Sequence, residues 1–170
     1  MLPQACLLCG ARVTGALLCP GCTEDMPALP RERCPQCALP SPGGDPCGGC
    51  LKHPPSFSHT AAAHAYAFPL DALVKHCKYG GNLGLTDWFA DGLARELAGA
   101  PRPDLILPMP LHDVRLAQRG FNQATEIARR LAPRLGVPWL AQGCRQVRDT
   151  PPQAGLDLKA RRRNLRGAFA

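Results

Sequence analysis

Beyond residue 55 the apolar residues recur in two periods. Leu70, Leu73, Val74 and Cys77 fall at i, i+3, i+4 and i+7, one face of a helix, and Lys78-Tyr79-Gly80-Gly81 ends that run with a glycine stop. Residues 86–97 repeat the pattern through Trp88, Phe89, Leu93 and Leu97, with Thr86 as the expected cap and Pro101 and Pro103 closing the segment. A third face carries Ala124, Ile127, Ala128, Leu131 and Leu135, from Phe121 up to Gly136. Between these helices, Leu105-Ile106-Leu107 is a short continuous apolar run suited to a strand covered on both faces, and Pro108 and Pro110 stop its pairing. Residues 137–141 read as a second short strand, and residues 60–68 as a first edge strand, although the alanines there also suit a helix.

Strand, helix and strand in this order imply a parallel sheet, whose ligands collect at the carboxyl ends of strands. The segment following the 105–107 strand draws attention for that reason. Residues 111–119 read as a charged loop bearing His112, Asp113, Arg115 and Arg119, and Gly120 permits the turn into the next helix. A simpler reading is a helix start tied down by hydrogen bonds. Residues 145–152 form a loop rich in arginine and proline, and residues 156–169 a short helix carrying Arg161, Arg162, Arg163 and Arg166. Cys77 lies on an apolar stripe as a buried thiol, and Cys144 stands without metal spacing.

The first third of the chain has a different organisation. Of the ten cysteines, eight precede residue 51, in two copies of C-x2-C-x9-C-x2-C: Cys6, Cys9, Cys19 and Cys22, then Cys34, Cys37, Cys47 and Cys50. Each C-x2-C pair makes a knuckle whose sulfurs point at one centre, and the intervening residues bring the second knuckle around, which favours two tetrahedral zinc sites over disulfides, a redox pair or an iron–sulfur cluster. Pairing is expected to be sequential within each repeat. Four cysteines per site leave no open position, so the metal is structural. It replaces a core that about 50 residues cannot build, contributing on the order of 10 kcal/mol to folding. His53 and His59 are then surface or linker residues. Pro54 and Pro55 mark a boundary, giving a zinc-binding module over residues 1–55 and a globular part over residues 56–170.

The formal net charge of +7 is concentrated near the carboxyl terminus, where residues 145–170 hold seven basic and two acidic side chains. Such a tail suits nucleic acid or a phosphorylated ligand, or simply a solvated helix face. The sequence has no basic leader and no apolar run approaching the roughly 20 residues of a membrane span, so a reducing, cytoplasmic setting is expected.

Pro108-Met109-Pro110 followed by Arg119-Gly120-Phe121-Asn122-Gln123, with Thr150, Gln153, Leu156, Arg161, Asn164, Ala168 and Phe169 beyond, resembles the ComF family of phosphoribosyltransferase-like proteins, which also begin with a cysteine-rich zinc module. The resemblance implies a small double zinc ribbon followed by an α/β, type I phosphoribosyltransferase-like domain. It implies an accessory role in bacterial DNA uptake and use (natural competence), with single-stranded DNA or a competence helicase or DNA-processing protein as partner. It also implies a substrate site of Pro108, Pro110, Arg119, Gly120, Asn122 and Gln123 on the diphosphate side, with Arg148, Gln153, Arg161 and Asn164 on a mobile hood. Lys78 and Tyr79 belong to a recurrent Lys-Tyr-x-Gly segment, either facing a ligand phosphate or ending a solvated helix. The family's Asp-Asp and Thr-Thr-Gly loop, which holds the ribose phosphate, has no counterpart in this sequence. The expected sheet is therefore incomplete and the expected role non-catalytic. The alternatives are a transferase whose completing segment lies beyond this sequence, binding magnesium with phosphoribosyl diphosphate, and a zinc-ribbon protein-interaction module.

Overall fold

The computed structural model describes residues 4–170, which form two compact units. One runs as far as His76 and includes Asp91–Pro101; the other comprises Cys77–Ala90 and Arg102–Ala170. No helix among the described residues is long and apolar enough to cross a membrane.

In the first unit the cysteine repeat is a repeat of structure. β1 (Gln4–Ala5) pairs antiparallel with β2 (Arg12–Val13), with Ala5 opposite Arg12. The equivalent residues one period of 28 later, Arg33 and Pro40, form an isolated antiparallel bridge. Proline has no N–H to donate, so the second copy of the ladder does not extend. Each first knuckle closes in the same way: Gly10 N–H donates to the Cys6 carbonyl and Ala38 N–H to that of Cys34, both at 2.9 Å. Each second knuckle starts a helical turn, α1 (Pro20–Glu24) after Cys19 and α2 (Gly48–Lys52) after Cys47. Residues 60–68, expected as an edge strand, make bends instead. Isolated contacts hold the stretch and the residues before it, with Ala65 N–H on the Pro27 carbonyl, His59 Nδ1 on that of Pro35 and Gln36 donating to that of Phe57. No neighbouring strand offers it a ladder among the described residues.

The first two predicted helices form as α3 (Leu70–Gly80) and α4 (Gly84–Glu96). Leu70, Leu73 and Cys77 are buried in α3, and Asp71 pairs with Lys75 one turn on at 2.7 Å. In α4 the fully buried positions are Leu85, Thr86 and Ala90, whereas Trp88, Phe89 and Leu93 are half-buried. Thr86 lies inside the helix rather than at its cap, and its hydroxyl donates to the Leu83 carbonyl at 2.6 Å.

The second unit departs most from expectation between residues 105 and 120. The apolar run 105–107 is reduced to one parallel bridge, Ile106 to Trp139, with Ile106 N–H on the Pro138 carbonyl and Leu140 N–H on the Ile106 carbonyl. It is the only parallel pairing among the described residues, where a parallel sheet was expected. Pro108 and Pro138 remove donors on both sides of it. The segment read as a charged loop contains a helix, α5 (Asp113–Arg119). His112 caps it by accepting from Val114 N–H, Asp113 occupies its first turn, and Gly120 ends it at φ 80°, a left-handed conformation that a side chain would oppose.

α6 (Gln123–Leu135) follows, capped by Asn122, with Ala128, Leu131 and Ala132 buried. Its exposed face is laced by ion pairs from Arg129 and Arg130 to Glu126 and from Arg134 to Asp87 of α4. An antiparallel bridge from Gln146 to Phe169 closes the unit around α7 (Leu158–Leu165), beside a fully buried Ala168.

Among the described residues Ala38 is the only non-glycine with positive φ, at 60°, and occupies the place that Gly10 fills at 74° in the first repeat. A left-handed alanine costs about 1–2 kcal/mol, which glycine avoids while losing part of it to greater unfolded-state freedom. Ala38→Gly should therefore stabilise the zinc-loaded protein by about 0.5–1 kcal/mol, read as a higher denaturant midpoint at unchanged m-value.

Candidate functional site

The eight N-terminal cysteines converge as two sets, Cys6, Cys9, Cys19 and Cys22, and Cys34, Cys37, Cys47 and Cys50, with all sulfurs of a set within 4.8 Å of one another. In each set the second and third sulfurs lie 3.7 Å apart. A tetrahedron of zinc–sulfur bonds about 2.3 Å long has edges of about 3.8 Å. The donor atoms thus already hold the geometry the metal requires, and no disulfide links them. Sequential pairing follows directly from this grouping.

Backbone amides prepare the sulfurs for metal. Cys19 N–H donates to Cys6 Sγ and Cys22 N–H to Cys19 Sγ. Burial works to raise the Cys6 thiol, but amide hydrogen bonds from Cys9, Cys19 and Leu8 outweigh it and bring it down to about 6. At Cys34 the amides of Cys37 and Cys47 dominate burial and give the same result, about 6. The last cysteine of each set is shifted the other way. Cys50 is pushed up to about 12 by burial and by hydrogen bonds to Cys37 and Cys47, and Cys22 is raised further by its bonds to Cys19 and Cys9. The metal-free sets therefore share protons that a dication must displace.

A second site lies wholly within the second unit. It is a cavity of about 780 Å³ walled by Lys78, Tyr79 and Gly81, by α5 and Phe121, and by residues 149–152. Helical spacing puts Arg115, Gln118 and Arg119 on one face of α5, at i, i+3 and i+4. Arg115 donates to the Thr150 carbonyl at 2.6 Å, and Arg119 donates to Gln123 Oε1 at 2.7 Å. The Arg119 guanidinium also sits 5.6 Å from the centre of the Tyr79 ring, within cation–π range. Neither arginine nor Lys78 makes an ion pair among the described residues, in contrast to the matched arginines of α6. Asp149 is the one carboxylate in the wall, 3.9 Å from His112 Nδ1. Burial pushes the nearby Cys77 thiol up, opposed by the positive charges of Lys78, Arg119 and Arg130.

A double zinc ribbon domain family matches residues 1–51. Over 99% of its length the chain is 35% identical to DNA utilization protein YhgH of Salmonella typhi, of which it covers 78%. It is 31% identical to the protein of that name in Escherichia coli strain K12, at the same coverage of each. With competence protein F of Haemophilus influenzae it shares 32% identity over 90% of its own length and 69% of that protein's. The chain belongs to the ComF family. No solved structure matches it.

The residues singled out by the family pattern occupy distinct places. Arg119 lines the cavity, Gly120 ends its helix, and Gln123 anchors its guanidinium. Asn122 caps α6 through Oδ1 and donates to the Met109 carbonyl at 2.9 Å, holding the turn between a buried Pro108 and a half-buried Pro110. Arg148 donates to the carbonyls of Asn164 and Arg166, and Asn164 returns a bond to that of Pro151, so both tie the 148–151 loop to α7. Gln153 has both amide atoms buried without a partner, and Arg161 is exposed on α7. Arg115, Gln118, Phe121 and Asp149 also line the cavity and lie outside the substrate site that the resemblance implies. For Arg115 the signal in the sequence is its i, i+4 spacing to Arg119, which puts the two on one face only when the segment is helical; no local pattern marks Asp149.

Purified protein should carry two zinc ions per chain by elemental mass spectrometry, and Cys34→Ser, at a buried ligand, should retain one. Because binding displaces protons from groups such as Cys50, zinc affinity should rise with pH. A competing chelator should accordingly strip the metal more readily at pH of about 6 than at about 8.

Proposed function

We propose that the protein is a zinc-binding accessory factor of bacterial DNA uptake and utilisation, acting in the cytoplasm on single-stranded DNA or alongside a DNA-processing protein such as a helicase. The observation that carries this reading is the similarity, over 99% of the chain, to proteins named for DNA utilization. In this reading residues 1–55 are a double zinc ribbon serving as a rigid structural module. Its metals are closed off by four sulfurs each, so they hold shape rather than activate water.

Residues 56–170 then correspond to part of a type I phosphoribosyltransferase-like scaffold put to a binding role. Pro108, Pro110, Arg119, Gly120, Asn122 and Gln123 are its diphosphate-side turn, and Arg148, Gln153, Arg161 and Asn164 its hood. Two features of the geometry support that assignment. The turn leads into a cavity with three cations and one carboxylate, and the unpartnered Gln153 amide is a polar group whose burial costs about 1–3 kcal/mol until something bonds to it. The same cations suit phosphoribosyl diphosphate, which makes that ligand the second reading. Magnesium would accompany it only where acidic ribose-phosphate groups are also present.

The zinc-loaded chain should bind a labelled oligo(dT) strand in fluorescence anisotropy, with an association constant falling linearly with salt on logarithmic axes. Three phosphate contacts imply a slope of about −2. Absence of binding even at low salt would remove the DNA reading and leave the ribbons as a protein-docking module.

A further inference from the structure

We propose that the cavity of the second unit binds a single base-bearing phosphate group, with Tyr79 as the stacking surface for the base and Lys78, Arg115 and Arg119 as the cations for the phosphate. The inference rests on the DNA reading only for the source of the nucleotide. Tyr79 is 77% exposed at the cavity wall, although the Arg119 guanidinium lies over its ring. A ring attended by a fixed guanidinium and otherwise open is a platform for a flat heterocycle, because base–aromatic stacking tolerates any base and arginine adds a cation–π contribution. Phe121 supplies a second, half-buried ring in the same wall.

The cations are arranged for an anion rather than for one another. Arg115 and Arg119 are held in place by neutral acceptors, the Thr150 carbonyl and the Gln123 amide oxygen, so their charges are positioned but not cancelled. A guanidinium has five N–H donors, and the hydrogen bonds seen here engage one donor group of each arginine, leaving others for phosphate oxygens. Asp149 offers an acceptor to an amino or hydroxyl group of the ligand and disfavours a wall-to-wall polyanion. A volume of about 780 Å³ is that of a small-molecule site, sufficient for a nucleotide unit and far below the demands of a duplex. The shared chemistry is a base joined to phosphate, supplied either by a free nucleotide or by one residue of a strand.

The test uses the full zinc-loaded chain, labelled oligo(dT), and thymidine monophosphate and inorganic diphosphate as competitors, with Tyr79→Ala, Tyr79→Phe and Arg115→Gln variants. Since Tyr79 is exposed, its substitution should leave zinc content and the unfolding midpoint unchanged. Tyr79→Ala should weaken oligonucleotide binding about tenfold or more and leave competition by diphosphate intact, Tyr79→Phe should restore the affinity, and Arg115→Gln should weaken both ligands. Competition by the monophosphate identifies a free nucleotide as sufficient; binding of the strand alone identifies strand DNA as the source; either supports the proposal. Oligonucleotide binding unchanged in both Tyr79→Ala and Arg115→Gln would overturn it while leaving the DNA reading standing. Diphosphate binding that is sensitive to Arg115→Gln, with neither nucleotide nor strand bound, would overturn both and make the cavity a plain diphosphate site.

Discussion

Four sulfurs within 4.8 Å of one another cannot all carry charge in the absence of a cation, and they cannot all keep their protons once the amides around them favour thiolate. That conflict governs the first unit. Across the two cysteine repeats the regular structure amounts to a two-residue strand pair, one bridge, a 3-10 turn and two helical turns, too little to hold a chain by hydrogen bonding alone. A dication resolves the conflict by replacing shared protons with four bonds, and its binding energy becomes folding energy. The two repeats share one geometry, down to the 3.7 Å separation of the middle sulfurs, because one cysteine spacing occurs twice.

The second unit obeys a different constraint. Proline at 108, 110 and 138 denies the 105–107 run a ladder, so the chain invests its backbone hydrogen bonds in helices and in single bridges. One of those helices, α5, is short and depends on its ends: a histidine cap, an aspartate in the first turn and a left-handed glycine at the finish. Its reward is a rigid face on which two arginines rise one turn apart. On the neighbouring helix α6 each arginine finds a carboxylate. Those of α5 find a carbonyl and an amide, which fix direction without neutralising charge.

This contrast separates the two kinds of site. The zinc sets are closed, with every donor aimed inward, and their chemistry ends in structure. The cavity is open, with cations, a lone carboxylate and an exposed tyrosine facing a volume that a ligand can enter.

The sequence by itself determined what depends on local spacing. The cysteine repeat specified the eight ligands of two metal sets, because each C-x2-C knuckle aims two sulfurs at one centre; that the sets pair sequentially rather than crosswise was decided by the structure, which gathers each repeat's four sulfurs together. Three amphipathic helices and the Gly136 stop were legible for the same reason, as periodicity and capping act within a few residues. What only the tertiary structure decided was everything set by distant partners. Residues 60–68 were compatible with an edge strand or a helix, and among the described residues no strand lies beside them to form a ladder. Lys78, Tyr79, Arg115, Arg119 and Asp149 lie in three separate stretches of sequence, and no local pattern records that they share one wall. Burial and electrostatic pairing are properties of neighbours in space, and folding alone supplies those neighbours.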